Sequence, residues 1–153
     1  MREFDRETVR KIWQRVQSDS PVSGTVGDCC SLSECIAWEL TFGDLYRRIA
    51  GKVPGNMANT LRQLARQEQN HAQLLKGICV MTEGISPQIH PIPVQRAPVS
   101  VLLRQCYGEK LRAISQYEKR TDDGRFGEVF QRILQQEQAQ CRFLLRLMGT
   151  VKP

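Results

Sequence analysis

Residues 64–75 read LARQEQNHAQLL and residues 134–145 read LQQEQAQCRFLL. Each stretch sets a glutamate in the middle of an apolar 4,3 stepping. Around the first, Met57, Leu61, Leu64, Glu68, His71, Leu75 and Ile78 fall on one helical face. Around the second, Phe126, Phe130, Ile133, Glu137, Gln140, Leu144 and Leu147 do the same. In both helices only the central pair is polar, and a Glu precedes its partner by three residues.

Working outward, two further segments carry the same design. Leu32, Cys35, Glu39, Phe42 and Tyr46 line a helix expected over 32–50. Leu102, Cys106, Glu109, Ala113 and Tyr117 line one expected from near Pro98 to Thr121. Ser31 and Glu34 resemble a capping box for the first of these long helices, and Gly51 with Pro54-Gly55 ends it. The second long helix is predicted over 56–83 with Gly84 as its stop. Residues 84–97, with Pro87, Pro91 and Pro93, have no helical period. Asp122-Asp123-Gly124 makes a turn and cap for the last helix, which should reach Met148, with Gly149 as its stop. An amphipathic segment over 3–18 (Phe4, Val9, Ile12, Trp13, Val16) and the breaker SDSPVSGTVGD come first. The expectation is an all-α protein: an N-terminal helix and linker over 1–31, then a four-helix bundle over 32–149.

Helical rise sets the depth of the acidic residues. At ~1.5 Å per residue, Glu39 lies roughly 16 Å before the end of its helix and Glu68 roughly 18 Å into the next. Glu109 lies about 18 Å from its helix end and Glu137 about 20 Å into the last helix. Antiparallel packing would therefore bring four carboxylates to one level. Burying an ion costs several kcal/mol even after relaxation. The escapes are two divalent cations, which balance four carboxylates, or protonation.

On these motifs, together with WELTFGDLY at 38–46 and YGEKLRAISQY at 107–117, the chain resembles the ferritin-like superfamily, and within it the rubrerythrin-like proteins. The resemblance implies a long crossover between helices two and three, which the Pro-rich 84–97 segment is long enough to supply. It implies Glu39, Glu68 and His71 on one metal, Glu137 bridging, and Glu109, Glu137 and Gln140 on a second, with Tyr46 and Tyr117 reaching the polar centre. The implied cofactor is iron as Fe2+/Fe3+, with manganese as the alternative, in one or two ions. The implied chemistry is peroxidase- or ferroxidase-like redox work on peroxide or O2. A homodimer and an unidentified electron donor are the implied partners. Three departures stand out: Gln140 replaces the second expected His, Arg112 stands where another carboxylate is usual, and no rubredoxin-type four-cysteine module is present. An amide is a weaker ligand than imidazole. The alternative is a degenerate bundle with a structural or partner-binding role and no turnover.

Composition narrows the rest. The chain of 153 residues is 41% hydrophobic and 25% charged, ordinary for a globular protein. No apolar run approaches the ~18 residues that span a bilayer, no secretory signal is read in MREFDRETVRKIWQRVQ, and the cytoplasm is the expected location. The net charge of +6 names no partner. Nucleic acid is not expected as one, because Glu3 and Glu7 interleave with Arg2, Arg6, Arg10 and Arg15. Absence of any CxxC removes zinc-ribbon and thioredoxin-type sites. Cys29-Cys30 reads as two reduced thiols in a loop, or else a redox or soft-metal pair, whereas Cys106 and Cys141 read as core. His90 reads as a solvent-exposed loop residue.

Overall fold

A computed structural model describes residues 32–151. The expected N-terminal helix, Ser31 of the capping box, Cys29, Cys30 and the leading arginines lie outside the described residues. Four helices, α1 (Leu32–Ala50), α2 (Gly55–Glu83), α3 (Val99–Glu118) and α4 (Gly127–Thr150), account for almost everything else. No strand occurs among the described residues.

Local chemistry sets the helix ends. Gly84 adopts φ 76°, the left-handed conformation that glycine reaches without Cβ strain, and its N–H caps α2 on Val80 O at 2.8 Å. Asp123 Oδ1 accepts from the N–H groups of Arg125 and Phe126 at 2.9 and 2.8 Å, which organises the entry to α4. Gly127 follows because a Cβ there would sit 2.5 Å from the Thr121 carbonyl oxygen. Gly149 does not end α4: the helix runs to Thr150 and closes with Val151 N–H on Leu147 O at 3.1 Å. A glycine with α-region dihedrals is simply one weak residue of a helix.

The helices pack as a bundle around one apolar core. α1 lies closely on α2 and α3 on α4, while α1–α3 and α2–α4 contacts complete the packing. The pairs are antiparallel: Glu39 faces His71 while Gly43 faces Ala65, and Lys110 faces Glu137 while Tyr117 stacks on Phe130 with centroids 6.4 Å apart. Glu39 also meets Tyr117, and Tyr46 meets Lys110, so α1 and α3 run oppositely. Hence α2 and α3 point the same way. The segment joining them lies along α1. Ile92 N–H donates to Thr41 Oγ1 at 2.9 Å, Arg48 Nη1 donates to Val94 O at 2.8 Å, and Lys52 Nζ donates to Ala97 O at 3.4 Å. His90 is exposed in this segment, as expected. No helix among the described residues is long and apolar enough to cross a membrane.

Cys35, Cys79, Cys106 and Cys141 are all buried, and none is in a disulfide. Burial pushes the Cys106 thiol up to about 12 and the Cys79 thiol up to about 11. Burial raises the Cys141 thiol as well, so these three are protonated core residues, not nucleophiles.

Candidate metal centre

At mid-bundle the apolar core gives way to a knot of charge. Glu39 (α1), Glu68 and His71 (α2) and Glu137 (α4) offer ligand atoms that all lie within 4.8 Å of one another, and all four are buried. This group could hold a metal ion. His71 Nδ1 is 3.1 Å from Glu39 Oε2, 3.2 Å from Glu137 Oε1 and 3.8 Å from Glu68 Oε1. On its other edge, His71 Nε2 donates to Gln136 Oε1 at 2.5 Å. That bond makes Nε2 a donor, and Nδ1–H donates in turn to Glu39 and Glu137; a bound cation would take the place of the Nδ1 proton while Gln136 kept hold of Nε2–H, the way ligating histidines are usually oriented. Three carboxylates and an imidazole are a donor set for a divalent cation.

The third helix does not deliver Glu109. Its side chain is 37% exposed and pairs with Arg112 at 3.8 Å on the outer face. The neighbouring Lys110 turns inward instead and is 0% exposed. Its Nζ sits 2.5 Å from Glu137 Oε2 and 3.2 Å from Glu68 Oε2, over the Phe42 ring at 4.1 Å and the Tyr46 ring at 5.2 Å. The inner face of α3 is Leu102, Leu103, Cys106, Lys110, Ala113, Ile114 and Tyr117. Both 109 and 110 lie within one turn of Cys106 and of Ala113, so the periodicity admits either. The carboxylates select the lysine, because a fourth anion would raise the burial cost and a cation lowers it.

Gln140 is buried at the centre but turned away from the metal position. Its Oε1 accepts from Tyr46 Oη at 2.6 Å. Its amide Nε2 donates to Gln67 Oε1 at 2.7 Å and to Glu68 Oε1. Tyr117 Oη donates to Glu39 Oε1 at 2.5 Å. The two tyrosines thus do reach the polar centre, and none of the cluster's buried polar atoms lacks a partner.

Sequence reasoning did not single out Lys110, Gln136 or Gln67. A signal for the glutamines was present: QEQNH (67–71) on α2 and QEQAQ (136–140) on α4 are one repeated pentapeptide. In each, the residue three after the Glu bonds to the Gln that precedes the Glu of the other helix.

Electrostatics follow the geometry. Burial disfavours the His71 imidazolium, but the hydrogen bonds and charges of Glu137 and Glu39 outweigh it and carry the pKa up to about 10. Burial likewise opposes ionised Glu137, and the adjacent Lys110 and His71 overcome that, holding it down at about 2. Glu68 goes the other way, pushed well above the carboxylate range by burial and then by Glu137 and Glu39. Burial works against Lys110 too, yet Glu137, Glu68 and Glu39 raise its pKa, so it stays an ammonium. No protein-family model matches the chain, and no curated protein or solved structure matches it either.

Proposed function

We propose that this chain is a ferritin-like, rubrerythrin-like carboxylate protein that holds one divalent cation, iron or manganese, in its bundle core for redox chemistry on peroxide or O2. One observation carries it: three carboxylates and an imidazole converge at mid-bundle within 4.8 Å, entirely buried. The antiparallel pairs, the common direction of α2 and α3, and the segment lying along α1 support a crossover of the ferritin-like kind.

Charge balance favours one cation over two. Once a cation displaces the protons of Glu68 and of His71 Nδ1, the three carboxylates would carry −3 and Lys110 +1, leaving −2. A single divalent ion cancels that. The second position expected from the family likeness is filled from the protein side by the Lys110 ammonium and the Gln140 amide. Glu39, Glu68, Glu137 and His71 Nδ1 would hold the ion, Gln136 would fix the imidazole, and Tyr117 would restrain Glu39. A bound iron or manganese would supply the electron exchange that no side chain here provides.

Metal titration of chelator-treated protein tests this. One Mn(II) or Fe(II) per chain is expected, with a raised melting temperature and loss of binding in Glu68→Ala. An unchanged melt with both metals, and no effect of Glu68→Ala, refutes it. A second reading, a bundle without turnover, draws on the Lys110 pairing, because the cluster satisfies its own polar atoms. It requires that iron-loaded protein consume neither peroxide nor O2.

A further inference from the structure

The metal position is approached from outside through a cleft between α2 and α4. This cleft has a volume of about 370 Å³, with His71 in its floor and Gln67, Asn70 and Gln136 on its walls. Arg66 and Arg132 stand in the same cleft. Both are exposed, and neither has an acidic partner among the described residues. A second, smaller cleft of about 280 Å³ reaches Glu39 between α1 and α2, but its arginine, Arg47, is already paired with Asp44 at 2.6 Å. Of these two clefts, the α2–α4 one joins cationic donors without an acidic partner among the described residues to an edge of the buried cluster.

We propose that the α2–α4 cleft binds a small oxyanion, held by Arg66 and Arg132 and by the Gln67, Asn70 and Gln136 amides, directly outside His71. Guanidinium groups give charge-assisted, two-pronged bonds to such oxygens. The volume is at the small end of ligand pockets, roughly 300–1,000 Å³, which suits an ion of a few heavy atoms rather than a nucleotide. Gln136 links the two places, since it lines the cleft and accepts the His71 Nε2 proton. The anion site stands on its own geometry; its service to a metal rests on the function proposed above.

Inorganic phosphate is the probe, titrated calorimetrically at low salt into chelator-treated protein. Saturable binding at one site per chain is expected, with side-chain nitrogen resonances of His71 shifting on saturation and those of His90 fixed. In the Arg66→Ala/Arg132→Ala variant, binding should weaken at least about tenfold through loss of two charge-assisted contacts. The Arg62→Ala/Arg146→Ala variant, altered on the same two helices outside the cleft, should bind as the parent does. Absence of saturable binding, or equal weakening in both variants, overturns the proposal. Repeating the titration with Mn(II) separates the two inferences. Arginine-dependent phosphate binding by a protein that takes up no manganese supports the cleft and counts against the metal centre. Manganese uptake without phosphate binding does the reverse.

Discussion

Replacing Lys110 by Met removes the ammonium while nearly preserving volume and shape, which isolates its charge. The side chain is fully buried, with Nζ 2.5 Å from Glu137 and 3.2 Å from Glu68. Removing one partner of a buried pair leaves an uncompensated charge, worth about 3–5 kcal/mol. For a chain of this size each kcal/mol moves the melting temperature by about 2–4 °C. Chelator-treated Lys110→Met should therefore melt roughly 6–20 °C below the parent. Adding Glu68→Gln removes one of the stranded anions and should recover a large part of that loss, because the two sites share one network. Metal content gives a second readout. With the ammonium gone, the carboxylates of the metal-bound cluster are no longer offset from the protein side, so at limiting Mn(II) Lys110→Met should retain more of the metal per chain than the parent. Thermal unfolding in chelator and elemental analysis after Mn(II) loading measure both. A melt within a couple of degrees of the parent, together with unchanged metal content, would refute the placement of Lys110 among the carboxylates.

Gln136→Leu keeps all four candidate ligands but removes the acceptor for His71 Nε2; Mn(II) affinity should fall by about 10–100-fold, measured by competition with a chelating dye. In metal-free protein the pKa of His71 is raised from 6.5 to about 10, so its contribution to stability is complete below pH 6.5 and drains away as pH rises through 10. The melting-temperature gap between the parent and His71→Gln should accordingly narrow over that interval. Glu137, lowered from 4.5 to about 2, contributes above pH 4.5 and fails as pH falls through 2, so Glu137→Gln should lose its disadvantage only in acid. Tyr117→Phe takes a donor from a buried carboxylate and should cost about 1.5–3 kcal/mol. Tyr46→Phe deprives only the Gln140 amide oxygen and should cost less, which paired denaturant titrations would show.

Much of the bundle is legible because helix formation, capping and burial all act over a few residues. The 4,3 stepping on α2 and α4, the Gly84 stop and the Asp123 turn are local signals, and each appears where the pattern puts it. The site is legible at Glu39, Glu68, His71 and Glu137 because the residue beside each that fits the same step is apolar or a neutral amide, as Gln67 and Gln136 are, and none carries the opposite charge. It is not legible on α3. There Glu109 and Lys110 are adjacent, and each fits a step from Cys106 to Ala113. Propensity offers no preference, and lysine and glutamate are alike rare in a core. The choice is made by charges on three other helices, which no scan along one helix can register. The two extra residues at the end of α4 have a simpler cause, since a glycine stop of this kind needs the left-handed conformation, and Gly149 does not take it up.

The halves of the bundle explain why a lysine belongs there. Glu39 and Tyr46 are seven apart on α1, and Lys110 and Tyr117 are seven apart on α3. Glu68 and His71 on α2 answer to Glu137 and Gln140 on α4. One half is thus Glu39 and His71; the corresponding half is Lys110 and Gln140. The two differences offset each other electrostatically. Where the first half has a carboxylate the second has a cation, and where the first has a ring that can carry a proton the second has an amide that stays neutral. Neither change alone would do. Lys110 beside a second histidine would set two cations against a divalent ion, whereas Gln140 beside a fourth carboxylate would leave the far half negative with only weak donors to hold a metal. Made together, they convert half of a symmetric arrangement into a permanent internal counter-charge. Glu68 and Glu137 face that ammonium on one side and His71 on the other, and the group that could hold a metal ion lies in the half that opens toward the α2–α4 cleft.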